Sequence, residues 1–131
     1  MSYAYTTRVP EPFSVAVVDR VRAALKDQGF GVLTEVEVQA TLHAKLGVAM
    51  EEYLIFGACN PPLAHQALTI DREIGLLLPC NVVVRADGPG ACLVQALDPQ
   101  TMVQVTGRPD LKPVADDAAN RLRAALDQLS G

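Results

Sequence analysis

Two cysteines, each followed by asparagine and flanked by proline, are the residues of this chain best suited to chemistry. They form Cys59-Asn60-Pro61, where one apolar run ends, and Pro79-Cys80-Asn81, inside the most apolar run of the sequence. A thiolate is a nucleophile and a soft metal ligand, and a helix start favours the thiolate of a cysteine placed just before it. Cys59 stands just before an expected helix and is the candidate catalytic residue. The competing role is packing, because cysteine is among the residue types most often buried. Packing is the stronger reading for Cys80, which lies in an apolar strand, and for Cys92, in a later strand. A zinc or copper site would need Cys59 and Cys80 joined by His65. No C-x-x-C pair is present, and His65 lies about five residues into the helix, pointing away from its start. No metal or other cofactor is therefore expected, and His65 and His43 read as solvated helix residues.

The asparagines and glutamates divide in a similar way. Asn60 is placed to cap a helix whose first turn holds Pro61 and Pro62, with the Leu63 N–H as its natural donor. Those prolines remove two donors that a phosphate would need. Asn81 is harder to assign, because an amide inside an apolar strand needs partners or costs about 1–3 kcal/mol. It either satisfies irregular backbone beside Pro79 or faces a ligand. Glu35 and Glu37 share one strand face, a spacing suited to acid–base work or a hard cation, although solvated carboxylates on an edge strand explain them as well.

The elements that would hold these residues follow from periodicity. Residues 3–9 suit a first strand that stops at Pro10. From Phe13, the positions Val17, Val18, Val21, Ala24 and Leu25 recur at helical spacing and stop at Gln28-Gly29-Phe30, a glycine-plus-apolar helix ending. Residues 31–38 alternate as a strand with one partly polar face, and residues 39–46 form a short helix ended by Gly47. Residues 52–58 read as a buried strand, and Leu63, Ala64, Ala67, Leu68 and Ile70 supply the buried face of the helix that Asn60 begins. Residues 74–86 are apolar on both faces, as expected of a central strand, with a bulge or interruption at Pro79. Asp87-Gly88-Pro89-Gly90 turns the chain into a returning strand over residues 91–97. Asp98-Pro99 caps a short turn around Met102, residues 106–109 are loop, and a last amphipathic helix starts near Asp110. The order is β-α-β-α-β-α-β-β-α. With few helices, a terminal hairpin and no glycine-rich phosphate loop, the expected fold is an α+β two-layer sandwich. Its mainly antiparallel sheet has about five strands, with helices packed on it.

The bulk numbers agree with a compact protein. A chain of 131 residues, 50% apolar and 20% charged, suits one domain over residues 1–131 with a core large enough to need no staples. The net charge of −4 and the absence of a Lys/Arg cluster argue against nucleic acid as a partner. No apolar run has the length of a membrane span, and the N-terminus lacks signal-peptide features, so a cytoplasmic location is expected. Three cysteines in a reducing compartment are expected to be free thiols.

The segments GFGVLTEVEV, TLHAKLGV, GACNPPLAHQAL and GLLLPCNVVV together resemble the bacterial and archaeal family known as domain of unknown function 302. The resemblance runs from about Val17 to Val105. Matching positions are Thr34, Glu35, Lys45, Leu46 and Gly47, then Cys59, Asn60, Pro61, Ala64 and Leu68, and finally Pro79, Cys80 and Asn81. It implies a compact α+β protein and a homodimer, and it carries no assigned reaction. The chain departs from the pattern at His43 and at Glu51-Glu52, where basic residues are common, which weakens any anion site resting there. The function expected is that of a binding or interaction module, with a small ligand held by Cys59, Asn60, Cys80, Asn81 and Glu35. The alternatives are a thiol-based redox accessory or enzyme using Cys59, and a metal-binding protein.

Overall fold

A computed structural model describes residues 3–130. Five strands form one antiparallel sheet: β1 (Ala4–Val9), β2 (Gly31–Glu37), β3 (Tyr53–Cys59), β4 (Cys80–Ala86) and β5 (Cys92–Leu97), in the spatial order β1-β5-β4-β3-β2. The helices are α1 (Val15–Asp27), α2 (Val38–Leu46), α3 (Pro61–Ile70), α4 (Gln100–Thr106) and α5 (Lys112–Ser130). The fold is thus the α+β sandwich that the alternation of periods indicates, with β4 at its centre.

Strand alternation sorts side chains onto two faces. Leu54, Phe56, Ala58, Val82, Val84, Val94 and Ala96 are buried on the face covered by α1 and α5. Helix α1 starts at Val15, two residues later than its apolar spacing suggests, because the Ser14 hydroxyl accepts from the Val17 N–H at 3.2 Å. In α5 the buried positions Val114, Ala115, Ala118, Ala119, Leu122, Ala125, Leu126 and Leu129 form one stripe. Its alanines let the helix approach its neighbours closely.

The buried side chains separate into two clusters. One lies between the sheet, α1 and the C-terminal half of α5. The other joins Leu63, Ala67, Ile74, Met102 and Leu111 to Val114, Ala115 and Ala118 in the first half of α5. Helix α2 contributes no fully buried residue and ends at Gly47 with φ +69°, a backbone conformation that favours glycine.

Three local expectations are corrected. Residues 74–86 are not one strand, because Arg72–Leu77 form a 3₁₀ helix whose start is capped by the Asp71 side chain accepting from the Glu73 N–H. Leu76 is 86% exposed there. Of the bulge or interruption expected at Pro79, the interruption is what forms: Pro79, joined to Leu78 by a cis peptide, has no N–H to give a ladder, and β4 begins after it. The turn around Met102 is a full two-turn helix, α4, which reaches into the segment expected as loop, and Pro109–Leu111 form a single 3₁₀ turn before α5.

Candidate functional site

Cys59 and Cys80 meet at a cavity on the seam between the two core clusters. In the β3–β4 ladder Ala58 faces Cys80, so the end of β3 and the start of β4 bring both thiols to one wall. Helix α3 leaves this wall directly, adding Leu63, Ala64, Ala67 and Leu68, while Phe30 and Leu33 come from the start of β2. Met102, Val114 and Ala118 close the far side. The cavity measures about 360 Å³ and is open to solvent on one side, within the range of small-molecule sites.

No charged side chain lines it; the polar groups in the wall belong to Thr34, Asn60 and the two thiols. Asn60 is 7% exposed, and both its amide oxygen and its amide nitrogen are hydrogen-bonded. Its Oδ1 accepts from the Leu63 N–H at 3.3 Å, and its Nδ2 donates to the Gln28 carbonyl at 3.5 Å. Arg121 Nη1 donates to the same carbonyl at 3.4 Å. Asn60 therefore ties the start of α3 to the end of α1, next to α5. The Ala64 N–H donates to the Asn60 carbonyl at 2.9 Å. With Pro61 and Pro62 lacking N–H groups, the first turn of α3 offers no free donor to an anion.

Burial pushes the Cys80 thiol up to about 11, and the neighbouring Cys59 acts in the same direction. At neutral pH Cys80 is a protonated, poorly nucleophilic group that packs as a small apolar side chain. Cys59 is half-buried, and no disulfide joins any of the three cysteines.

Gly57, one residue before this wall, is opposite Thr34 in β2 and Asn81 in β4. A Cβ at Gly57 would lie 2.8 Å from Pro79 Cγ and closer still to Thr34 Oγ1. The glycine allows the proline and threonine of the cavity wall to close over the sheet.

The structure separates the residues singled out by sequence. Cys59, Asn60 and Cys80 converge. Asn81 does not join them, because alternation turns it to the opposite sheet face, where it is exposed. That exposure also answers the cost of its amide, which water can satisfy. Glu35 lies outside the cavity too, paired with Arg22 of α1, whose guanidinium stacks 4.7 Å from the centroid of the Phe56 ring. His65 is exposed on α3. Among the described residues, no three His, Cys, Asp or Glu side chains gather as a metal-binding group. The lining residues that lie outside the quoted motif segments are Met102, Val114 and Ala118. The available signal was small residues on helix stripes: Ala67 and Ala118 leave room where a leucine would fill the gap.

The sequence profile described as Domain of unknown function DUF302 matches residues 5–129. The chain belongs to the DUF302 family. A solved DUF302 protein from Bacillus stearothermophilus is similar at 31% identity and TM-score 0.89, over 98% of this chain and 99% of that one. Segments of longer proteins are also similar. The Fluoride-specific ion channel FluC 1 of Brucella suis biovar 1 (strain 1330) is 34% identical over 88 residues, which is 66% of this chain and 34% of the channel. The FluC 2 channel of Brucella melitensis biotype 1 matches at the same identity over 32% of its length. This DUF302 chain thus spans about a third of the length of those curated relatives. No helix among its described residues is long and apolar enough to cross a membrane.

Proposed function

We propose that the protein is a non-catalytic cytosolic module that binds a small, uncharged, apolar molecule in the cavity beside Cys59 and Cys80. The observation carrying this reading is the wall itself: about 360 Å³ without a charged side chain, next to a helix start with no spare donor. An anion would find neither a cation nor free N–H groups there, and a cation would find no carboxylate. An apolar ligand needs neither and gains by leaving water. The thiol-based alternative rests on Cys59 alone, since its neighbour Cys80 holds its proton well above neutral pH. Metal binding finds no third ligand among the described residues. The Brucella matches support a modular role, because a related segment there is part of longer chains named for a different activity.

Titration with the neutral fluorescent probe Nile red tests the proposal. Saturable binding to the wild type is expected, as is its loss in Ala64→Phe, which fills the cavity. A wild type without saturable binding overturns the reading. Alkylation of Cys59 by iodoacetamide tests the thiol alternative: a rate at pH 6 equal to that at pH 8.5 would restore it.

A further inference from the structure

Sulfur gathers at the cavity. The chain holds three cysteines and three methionines, and Cys59, Cys80 and Met102 all border this one space. The two thiols stand at the end of β3 and the start of β4, and the thioether stands on α4 at the far side. Methionine commonly fills irregular gaps in a core. Met102 is 5% exposed and buried in one cluster with Leu63, Ala67 and Val114, yet the space beside it stays open.

Sulfur distinguishes one apolar ligand from another. An aromatic ring has a negative face and a positive edge, and a sulfur lone pair is attracted to that edge. A saturated hydrocarbon of the same size offers no such edge and gains only dispersion. Because burial keeps the Cys80 proton in place to about pH 11, its S–H can also act as a weak donor toward a ring face. Phe30, 2% exposed where the chain enters β2, adds a ring to the wall, suited to edge-to-face or offset contact.

Shape points the same way. Ala58 on β3, Ala64 and Ala67 on α3, and Ala118 on α5 present only methyl groups, so the wall has low relief on three elements. Such a wall suits a rigid planar molecule, which has no rotatable bonds to freeze, better than a flexible chain. The volume of about 360 Å³ is more than twice the roughly 150 Å³ of a cavity that holds benzene. Two rings fit within the walls, and anything longer leaves through the open side.

From this we infer that the ligand is an uncharged aromatic compound of two fused or linked rings, held between the thiols of Cys59 and Cys80 and the thioether of Met102. The inference rests on the cavity being an apolar binding site and adds the class of molecule that the site selects.

Displacement of bound Nile red by naphthalene and by its saturated counterpart decalin, in the wild type and in Met102→Leu, tests the class. Leucine keeps the apolar volume and removes the sulfur. Comparing the two proteins cancels the difference in water solubility between the two hydrocarbons. The ratio of naphthalene affinity to decalin affinity is expected to fall roughly two- to tenfold in Met102→Leu. An equal ratio in both proteins overturns the aromatic class and leaves the apolar site standing. A wild type that binds no Nile red overturns the site itself, and the class with it. Should Met102→Leu fail to fold, nuclear magnetic resonance of the wild type decides. Naphthalene, unlike decalin, is expected to move the Met102 methyl signal upfield through its ring current, and equal movement with both hydrocarbons overturns the class.

Discussion

Raising the pH should loosen this protein through the desolvated thiol of Cys80. Cys80 holds its proton to about pH 11 in the folded chain, against an ordinary value of 9.0. Below pH 9 the thiol is protonated in both the folded and the unfolded chain, and its contribution is fully present. Between pH 9 and 11 the unfolded chain releases the proton while the folded one keeps it, so folding becomes progressively less favourable. A hundredfold difference in proton affinity amounts to about 3 kcal/mol once both limits are passed. For a chain of this size that corresponds to a fall in Tm of roughly 10 °C. Thermal melts of the wild type and Cys80→Ala from pH 8 to 11 isolate the effect. Other groups that titrate in this range, such as Cys92 and Tyr5, whose values burial also raises, are common to both proteins. The Tm difference between the two proteins should shrink or reverse as pH rises. A difference that stays constant across the range would refute the argument that Cys80 is desolvated in the cavity wall.

Three further substitutions probe the wall and its surroundings. Gly57→Ala forces a methyl against Pro79 and Thr34 and should cost about 1–3 kcal/mol in urea denaturation; adding Thr34→Ala should recover part of the loss, and an undiminished Gly57→Ala protein would refute the close packing. Asn60→Ala removes both the α3 cap and the link to Gln28, for a loss of about 1–2 kcal/mol by the same measurement. Glu35→Ala breaks only a partly exposed ion pair with Arg22. It should cost less than about 1 kcal/mol and leave Nile red binding unchanged, and lost binding would return Glu35 to the site.

Local pattern carried most of the fold. The stripes of α1 and α5 and the glycine endings are statements about neighbours in sequence, and each appears where periodicity puts it, whereas the alternation expected over residues 31–38 is broken by a register shift between Val32 and Thr34 and ends at Glu37, before α2. The misread segment, residues 74–86, lacks a period: an unbroken apolar run around Leu76-Leu77-Leu78 looks the same whether it coils or extends. Strand order was not legible, because the pairing of β1 with β5 joins residues more than eighty positions apart. For the site, motif logic brought Cys59, Asn60 and Cys80 together but misplaced Asn81, since its face depends on where β4 starts, and that depends on Pro79. The cavity itself was hidden for a different reason. It consists of space left by Ala64, Ala67 and Ala118, and a short side chain in a sequence does not say whether a neighbour fills the gap.

Helix α5 belongs to both core clusters: Val114 and Ala118 serve one, and Leu122 to Leu129 the other. The cavity opens where that allegiance changes. A molecule lodged there touches Val114 and Ala118 on one side and Phe30 and Ala58 on the other, so its binding energy is also adhesion between the two halves. The unliganded protein should therefore behave as two cooperative blocks threaded on one axle, with amides of α3 and α4 exchanging hydrogen sooner than those of the sheet. Occupancy would draw the two rates together, turning the presence of a small apolar molecule into a change in stiffness along the whole of α5.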